Sequence, residues 1–279
     1  MKSPVRLIAI DIDGTLLDPE FKIPSANLAA LRQAYEQGVE IVLVTGRRHT
    51  FALPIAEALG FDLWLISSNG AVTRSLQGEL FYRDLLPAST ARKLIQCMDA
   101  FRGNAVITFD RNDQGTIVLE GLEQMSPSIG GWLQKNQQYI TYRKPLEACL
   151  TTDPIQAMFC GGVGRMREAR EALQAANMVG EITILRTEYP SRDLCLYDVL
   201  NHGCSKGHAL ERWARYRGLD RGQVMAIGDN HNDVEMLEFA GVPVIMGNAC
   251  EELKQPGWRV TLSNDQCGVA VVVQQVLGI

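Results

Sequence analysis

The chain has 279 residues, 46% of them apolar, and a formal net charge of −5. The length exceeds one average domain and suits a core with a smaller insertion, and the composition supports a sizeable buried interior. Mild acidity argues against a nucleic-acid or anionic-membrane partner, and no stretch approaches the ~20 apolar residues of a membrane span.

Taken in chain order, Leu7 to Ile10 is an apolar run ending in a carboxylate, as expected of a buried strand in a parallel sheet. Pro24-Ser25 opens a helix that Gly38 stops, with Leu28, Leu31 and Tyr35 on one face. Val39 to Val44 is a second run, followed by Thr45-Gly46-Arg47 and a helix that reaches Gly60. Leu63 to Ile66 is a third, ending at Ser67-Ser68-Asn69-Gly70. Strands alternating with helices imply an α/β fold with a doubly wound, mainly parallel sheet and right-handed crossovers.

The rhythm changes after Gly70. Ala71 to Asp84 reads as a hairpin around Gln77-Gly78, and Pro87 to Ala100 as a helix. Ala105 to Phe109 and Thr116 to Leu119 read as paired strands. Ile155 to Cys160, a helix from Met166 to Ala176, Ile182 to Leu185 and Leu194 to Val199 complete an α+β block. Residues 84–200 are therefore expected to form an inserted domain, with 1–83 and 201–279 as the core. The βα pattern resumes with a helix over Ser205 to Arg217, a strand over Val224 to Ile227, a helix over Asp233 to Ala240, a strand over Val242 to Met246 and a last helix over Gly268 to Leu277.

Ligands of open α/β sheets bind outside the carboxyl ends of the strands. Four runs here end in polar groups: Asp11-Ile-Asp13-Gly14-Thr15, Thr45-Gly46-Arg47, Asn69-Gly70 and Gly228-Asp229-Asn230-His231-Asn232-Asp233. In a parallel sheet they share one crevice, which gathers Asp11, Asp13, Asp229 and Asp233. Carboxylates so close raise one another's pKa unless a cation neutralises them. With oxygen donors only, a hard ion is favoured, magnesium over zinc. A cation held this way suits a phosphorylated ligand. Asp11 and Asp13, one residue apart, can divide the labour of nucleophile and proton carrier. Amides around Gly14-Thr15 could cradle phosphate oxygens.

Asp11-Ile-Asp-Gly-Thr-Leu, Thr45, Lys206 and Gly228-Asp229-x-x-Asn232-Asp233 occur in the order that defines the haloacid dehalogenase superfamily, and the chain resembles its Cof-type phosphatases. Ser205-Lys206-Gly207, Met246-Gly247-Asn248-Ala249 and Gly268-Val269-Ala270 extend the likeness over both core segments. The resemblance implies Asp11 as nucleophile and Asp13 as general acid/base. It implies magnesium held by the Asp11 carboxylate, the Asp13 carbonyl and the Asp229 carboxylate, with Asp233 orienting the metal shell or Lys206. Thr45, Lys206 and Asn232 would face the phosphoryl group, and Gly46, Arg47 and Asn69 are candidates for substrate contact. The 84–200 block would act as a cap that sets substrate preference, with Phe109, Tyr139, Tyr142 and Phe159 as its aromatic candidates. Cys267 stands where the family usually has an acid, and Pro243 where a glycine is common.

The expectation is a magnesium-dependent phosphatase of small phosphorylated metabolites, such as sugar phosphates or nucleotide-like cofactors, working through an aspartyl-phosphate. A phosphotransferase or mutase, and a non-catalytic phosphometabolite sensor, are the alternatives. No Gly-x-Gly-x-x-Gly follows the first strand, which disfavours dinucleotide binding. The first ten residues hold too short an apolar run for a signal-peptide core, so a cytoplasmic location is expected, as monomer or homodimer. Seven cysteines without a Cys-x-x-Cys pair read as reduced, mainly structural thiols. His49, His202, His208 and His231 are not at zinc-ligand spacing, and His231 is expected to point to solvent.

Overall fold

Four-residue apolar runs such as Leu7–Ile10 fold as strands because both of their faces can be buried, and the computed structural model shows this over residues 5–121 and 127–279, the residues it describes. Two compact units result. One comprises residues 1–83 and 205–279, the other residues 84–204.

In the first unit β1 (Leu7–Ile10) is followed by α1 (Ser25–Glu36), β2 (Glu40–Val44), α2 (His49–Glu57), β3 (Trp64–Ser67), β4 (Val72–Ser75) and β5 (Leu80–Arg83). The second unit contributes α3 (Ala88–Cys97), β6 (Ala105–Thr108), β7 (Ile117–Leu119), α4 (Pro127–Asn136), β8 (Ile140–Tyr142), β9 (Gln156–Gly161), α5 (Val163–Ala175), β10 (Ile182–Tyr189) and β11 (Leu194–Asn201). The chain returns to the first unit with α6 (Lys206–Tyr216), β12 (Val224–Gly228), α7 (Val234–Phe239), β13 (Val242–Ile245), β14 (Arg259–Val260) and α8 (Gly268–Leu277).

The first sheet runs β14-β13-β12-β1-β2-β3-β4-β5, parallel except for the hairpin β4–β5, which joins β3 antiparallel. Successive residues of β1 face opposite layers. Ile8 and Ile10 pack with Leu31 of α1 and Val269 of α8, while Leu7 and Ala9 pack with Leu210 and Trp213 of α6. Helices thus cover both faces, as the doubly wound reading requires. The buried indole of Trp213 has its N–H satisfied, donating to Glu40 Oε1 at 2.7 Å. Pro243 sits in β13 before β14 begins to pair, at Val244, so no neighbouring strand calls for its missing N–H. Among the described residues no helix is long and apolar enough to cross a membrane.

The second sheet runs β10-β11-β9-β6-β7-β8 and is antiparallel except between β7 and β8. α3 and α5 pack on one face around Phe159 and Ile107, and Ile129 of α4 packs on the other with Val106. β10 continues four residues beyond the expected Leu185, through Arg186-Thr-Glu-Tyr. It lies at the sheet edge, where polar side chains cost little, so the loss of apolar character did not end the strand. α4, β8 and β14 were not anticipated. β8 and β14 are short, and α4 carries the helix-weakening pair Gly130-Gly131. Of the four aromatics named above, Phe159 is wholly buried in the core and Tyr142 is 63% exposed.

Candidate active site

The residues after β1 cannot continue the strand, because Gly14 has φ +80° and the chain turns with bonds from Leu16 N–H to the Asp11 carbonyl and from Leu17 N–H to the Ile12 carbonyl. A Cβ at Gly14 would stand 2.4 Å from Asp229 Oδ2, so only glycine lets the β1 turn lie against the β12 turn. The Thr15 hydroxyl donates to Asp229 Oδ1 at 3.0 Å, and Asn248 Nδ2 donates to the Gly14 carbonyl at 2.9 Å.

Lys206, the first residue of α6, is 1% exposed. Its ammonium donates to Asp11 Oδ1 and to Asp233 Oδ1, each at 2.6 Å. Asp233 spends its other oxygen on the backbone N–H groups of Asp229 and Asn230, both at 3.0 Å, which closes the loop after β12. The carboxylates of Asp11, Asp229 and Asp233 lie within 4.8 Å of one another.

Three buried carboxylates therefore meet one ammonium. Burial pushes Asp11 up to about 7, with Lys206 pulling the other way and Asp233 and Asp13 adding to the rise. Burial likewise raises Asp229 well above the usual carboxylate range, reinforced by Asp11 and Asp233. Burial opposes charge on Lys206 too, but Asp11 and Asp233 outweigh it and hold the amine protonated. The excess negative charge and the all-oxygen donor set fit a hard divalent cation.

Asp13 stands apart from that trio. Arg47 grips its carboxylate bidentately, Nε to Oδ2 at 2.7 Å and Nη2 to Oδ1 at 2.6 Å, with both side chains partly exposed. Thr45, at the end of β2, is buried, and its hydroxyl accepts from the Arg47 backbone N–H at 3.1 Å. Asn69 follows β3 with φ +54° and accepts from Asn232 Nδ2 at 2.9 Å. Gly46 lies against Asn69, where a Cβ would come within 3.1 Å of Oδ1. The ends of β1, β2, β3 and β12 thus converge, with the Asp13 carboxylate turned to Arg47 and not to the other three acids. Asn248 joins these strand ends through its bond to the Gly14 carbonyl, a role that the Met246-Gly247-Asn248-Ala249 likeness does not specify. Like the others, it follows the carboxyl end of a strand, which is the signal that could have found it. His231 departs from expectation, since its side chain is only 19% exposed and its Nε2 is 3.0 Å from Glu252 Oε1.

A family model described as haloacid dehalogenase-like hydrolase matches residues 8–273. A Bacillus subtilis protein named Phosphatase YwpJ is 32% identical, covering 98% of this chain and all of its own length. An Escherichia coli protein named HMP-PP phosphatase is 33% identical, with 89% of this chain and 86% of its own length aligned. Among solved structures, a haloacid dehalogenase-like hydrolase from B. subtilis superposes with TM-score 0.81 at 27% identity over 98% of this chain and all of that one. Another, from Bacteroides thetaiotaomicron, gives 0.78 at 28% identity, covering 98% and 99%.

Proposed function

The chain belongs to the haloacid dehalogenase-like hydrolase family and is a phosphoric monoester hydrolase, and on that premise we propose that it dephosphorylates small phosphorylated metabolites through a phosphoryl group carried transiently on Asp11. The observation that carries this reading is the ammonium of Lys206 fixed between Asp11 and Asp233 beside Asp229, at the carboxyl rim of the sheet.

The buried carboxylate of Asp11 attacks phosphorus and expels the alcohol oxygen. Lys206, already oriented by Asp233, offsets charge on the phosphoryl oxygens without reorganising. The Thr45 hydroxyl and Asn232, which Asn69 steadies, offer further donors. Magnesium would be held by the Asp11 and Asp229 carboxylates and the Asp13 carbonyl, and when bound it supplies charge neutralisation for the attacking acid and the phosphate. Both oxygens of Asp233 are already engaged, which favours its orienting Lys206 and the loop over direct coordination.

Asp13 passes a proton to the leaving oxygen and later takes one from water. Arg47 occupies both of its oxygens here. A phosphorylated substrate that draws the guanidinium onto its own oxygens frees Asp13 for that task. Substrate preference on this reading rests mainly with residues 84–200. The location is cytoplasmic, a reading supported by seven cysteines held as thiols rather than disulfides.

The test is phosphate release across a panel of sugar phosphates, nucleotide-like cofactors and HMP-PP, the last because the E. coli relative is named for it. Turnover of one class with stoichiometric free phosphate supports the reading. Isomerised hexose phosphate without free phosphate would mean a mutase, and binding without turnover a sensor.

A further inference from the structure

We propose that His231, Cys250 and Glu252 form a second cation site in the first unit, distinct in chemistry from the acidic centre and suited to a borderline or soft transition metal such as zinc. His231 begins the short turn that follows β12, and Cys250 and Glu252 lie in the turn that follows β13. Sequence spacing did not suggest a site, because Cys250 and Glu252 come 19 and 21 positions after the histidine. The fold closes that distance. One donor atom from each residue, an imidazole nitrogen, the thiol sulfur and a carboxylate oxygen, lies within 4.8 Å of the other two.

The dimensions suit a tetrahedral ion. With bonds of about 2.0–2.3 Å, zinc donors stand roughly 3.3–3.8 Å apart, so modest side-chain movement closes the site. The imidazole already faces the carboxylate at 3.0 Å. The histidine is also held from behind, its backbone N–H donating to Asn230 Oδ1 at 2.9 Å. Cys250 is exposed and Glu252 is 64% exposed, so an ion can reach the trio from solvent and keep a water as its fourth ligand.

The donor sets sort ions by hardness. Asp11 and Asp229 offer oxygen alone, which suits magnesium, whereas nitrogen, sulfur and oxygen together favour zinc, cobalt or copper. An ion on the trio would join the loop carrying Asp229 and Asp233 to the segment just past Asn248, whose amide donates to the Gly14 carbonyl. Occupancy would therefore stiffen two of the turns that frame the acidic centre. A plain histidine–glutamate ion pair beside an unrelated thiol makes none of these demands on Cys250.

Cobalt(II) is the probe, titrated into the full chain with saturating magnesium present. The expected result is one equivalent bound, with thiolate-to-cobalt charge-transfer absorption. Cys250→Ser should abolish that absorption and weaken binding by about tenfold or more, and Glu252→Gln should weaken binding while keeping it. Asp229→Asn, which disables the acidic centre, should leave the absorption intact. Unchanged far-UV circular dichroism confirms that each variant is folded. Absence of the absorption in the wild type, its persistence in Cys250→Ser, or its loss in Asp229→Asn would each overturn the assignment.

Discussion

Replacing Asp11 by asparagine should make the metal-free protein more stable while ending its activity. The carboxyl of Asp11 is raised from 3.8 to about 7, chiefly by burial, so the fold binds its proton more tightly than the unfolded chain does. A carboxyl raised in this direction weakens the fold as pH climbs from about 4 to about 7 and holds it weakened above that. Roughly three pKa units at ~1.36 kcal/mol each put the cost of an ionised Asp11 near 4 kcal/mol at pH 8. Asparagine keeps the shape and an acceptor for Lys206 but carries no charge, so it relieves up to that amount. At about 2–4 °C per kcal/mol for a unit of this size, the melting temperature should rise by roughly 5–15 °C. The assay is thermal unfolding in EDTA at pH 8 and pH 5.5, with the larger gain at pH 8, where the wild-type carboxylate is charged. Magnesium should then stabilise the wild type more than the variant, because the variant has lost a ligand. An Asp11→Asn protein that melts below the wild type in EDTA at pH 8, or that still turns over an aryl phosphate, would refute the reasoning.

Lys206→Ala leaves Asp11 and Asp233 without their shared ammonium and should lower kcat on an aryl phosphate by about 10²–10³-fold, and a rate near wild type would remove Lys206 from the chemistry. EDTA should stop phosphate release and magnesium restore it; restoration by zinc but not magnesium would reverse the ion assignment. Gly14→Ala places a Cβ 2.4 Å from Asp229 Oδ2 at positive φ, and should cost at least about 1–2 kcal/mol in urea unfolding as well as activity. Trp213→Ala empties the layer between α6 and the sheet and should cost about 3–5 kcal/mol, measured the same way, whereas a loss below about 1 kcal/mol would show that this layer closes over the gap.

Most of the first unit's architecture could be read from the chain alone, its short edge strand β14 excepted. Buried parallel strands are short apolar runs, and the polar residue that ends each run marks the sheet's carboxyl edge, so Asp11, Thr45, Asn69 and Asp229 were legible as neighbours. Local pattern could not show who holds whom. That Asp13 is gripped by Arg47 while Asp233 spends both oxygens on Lys206 and the loop depends on side-chain directions that only packing sets. The edge strand β10 outran its apolar signal, and the glycine-bearing α4 and the short β8 gave almost none, because their stability comes from neighbours distant in sequence. The same reason hid His231, Cys250 and Glu252: a site assembled from two turns leaves no spacing in the chain, since the sheet brings the ends of β12 and β13 side by side however many residues lie between them.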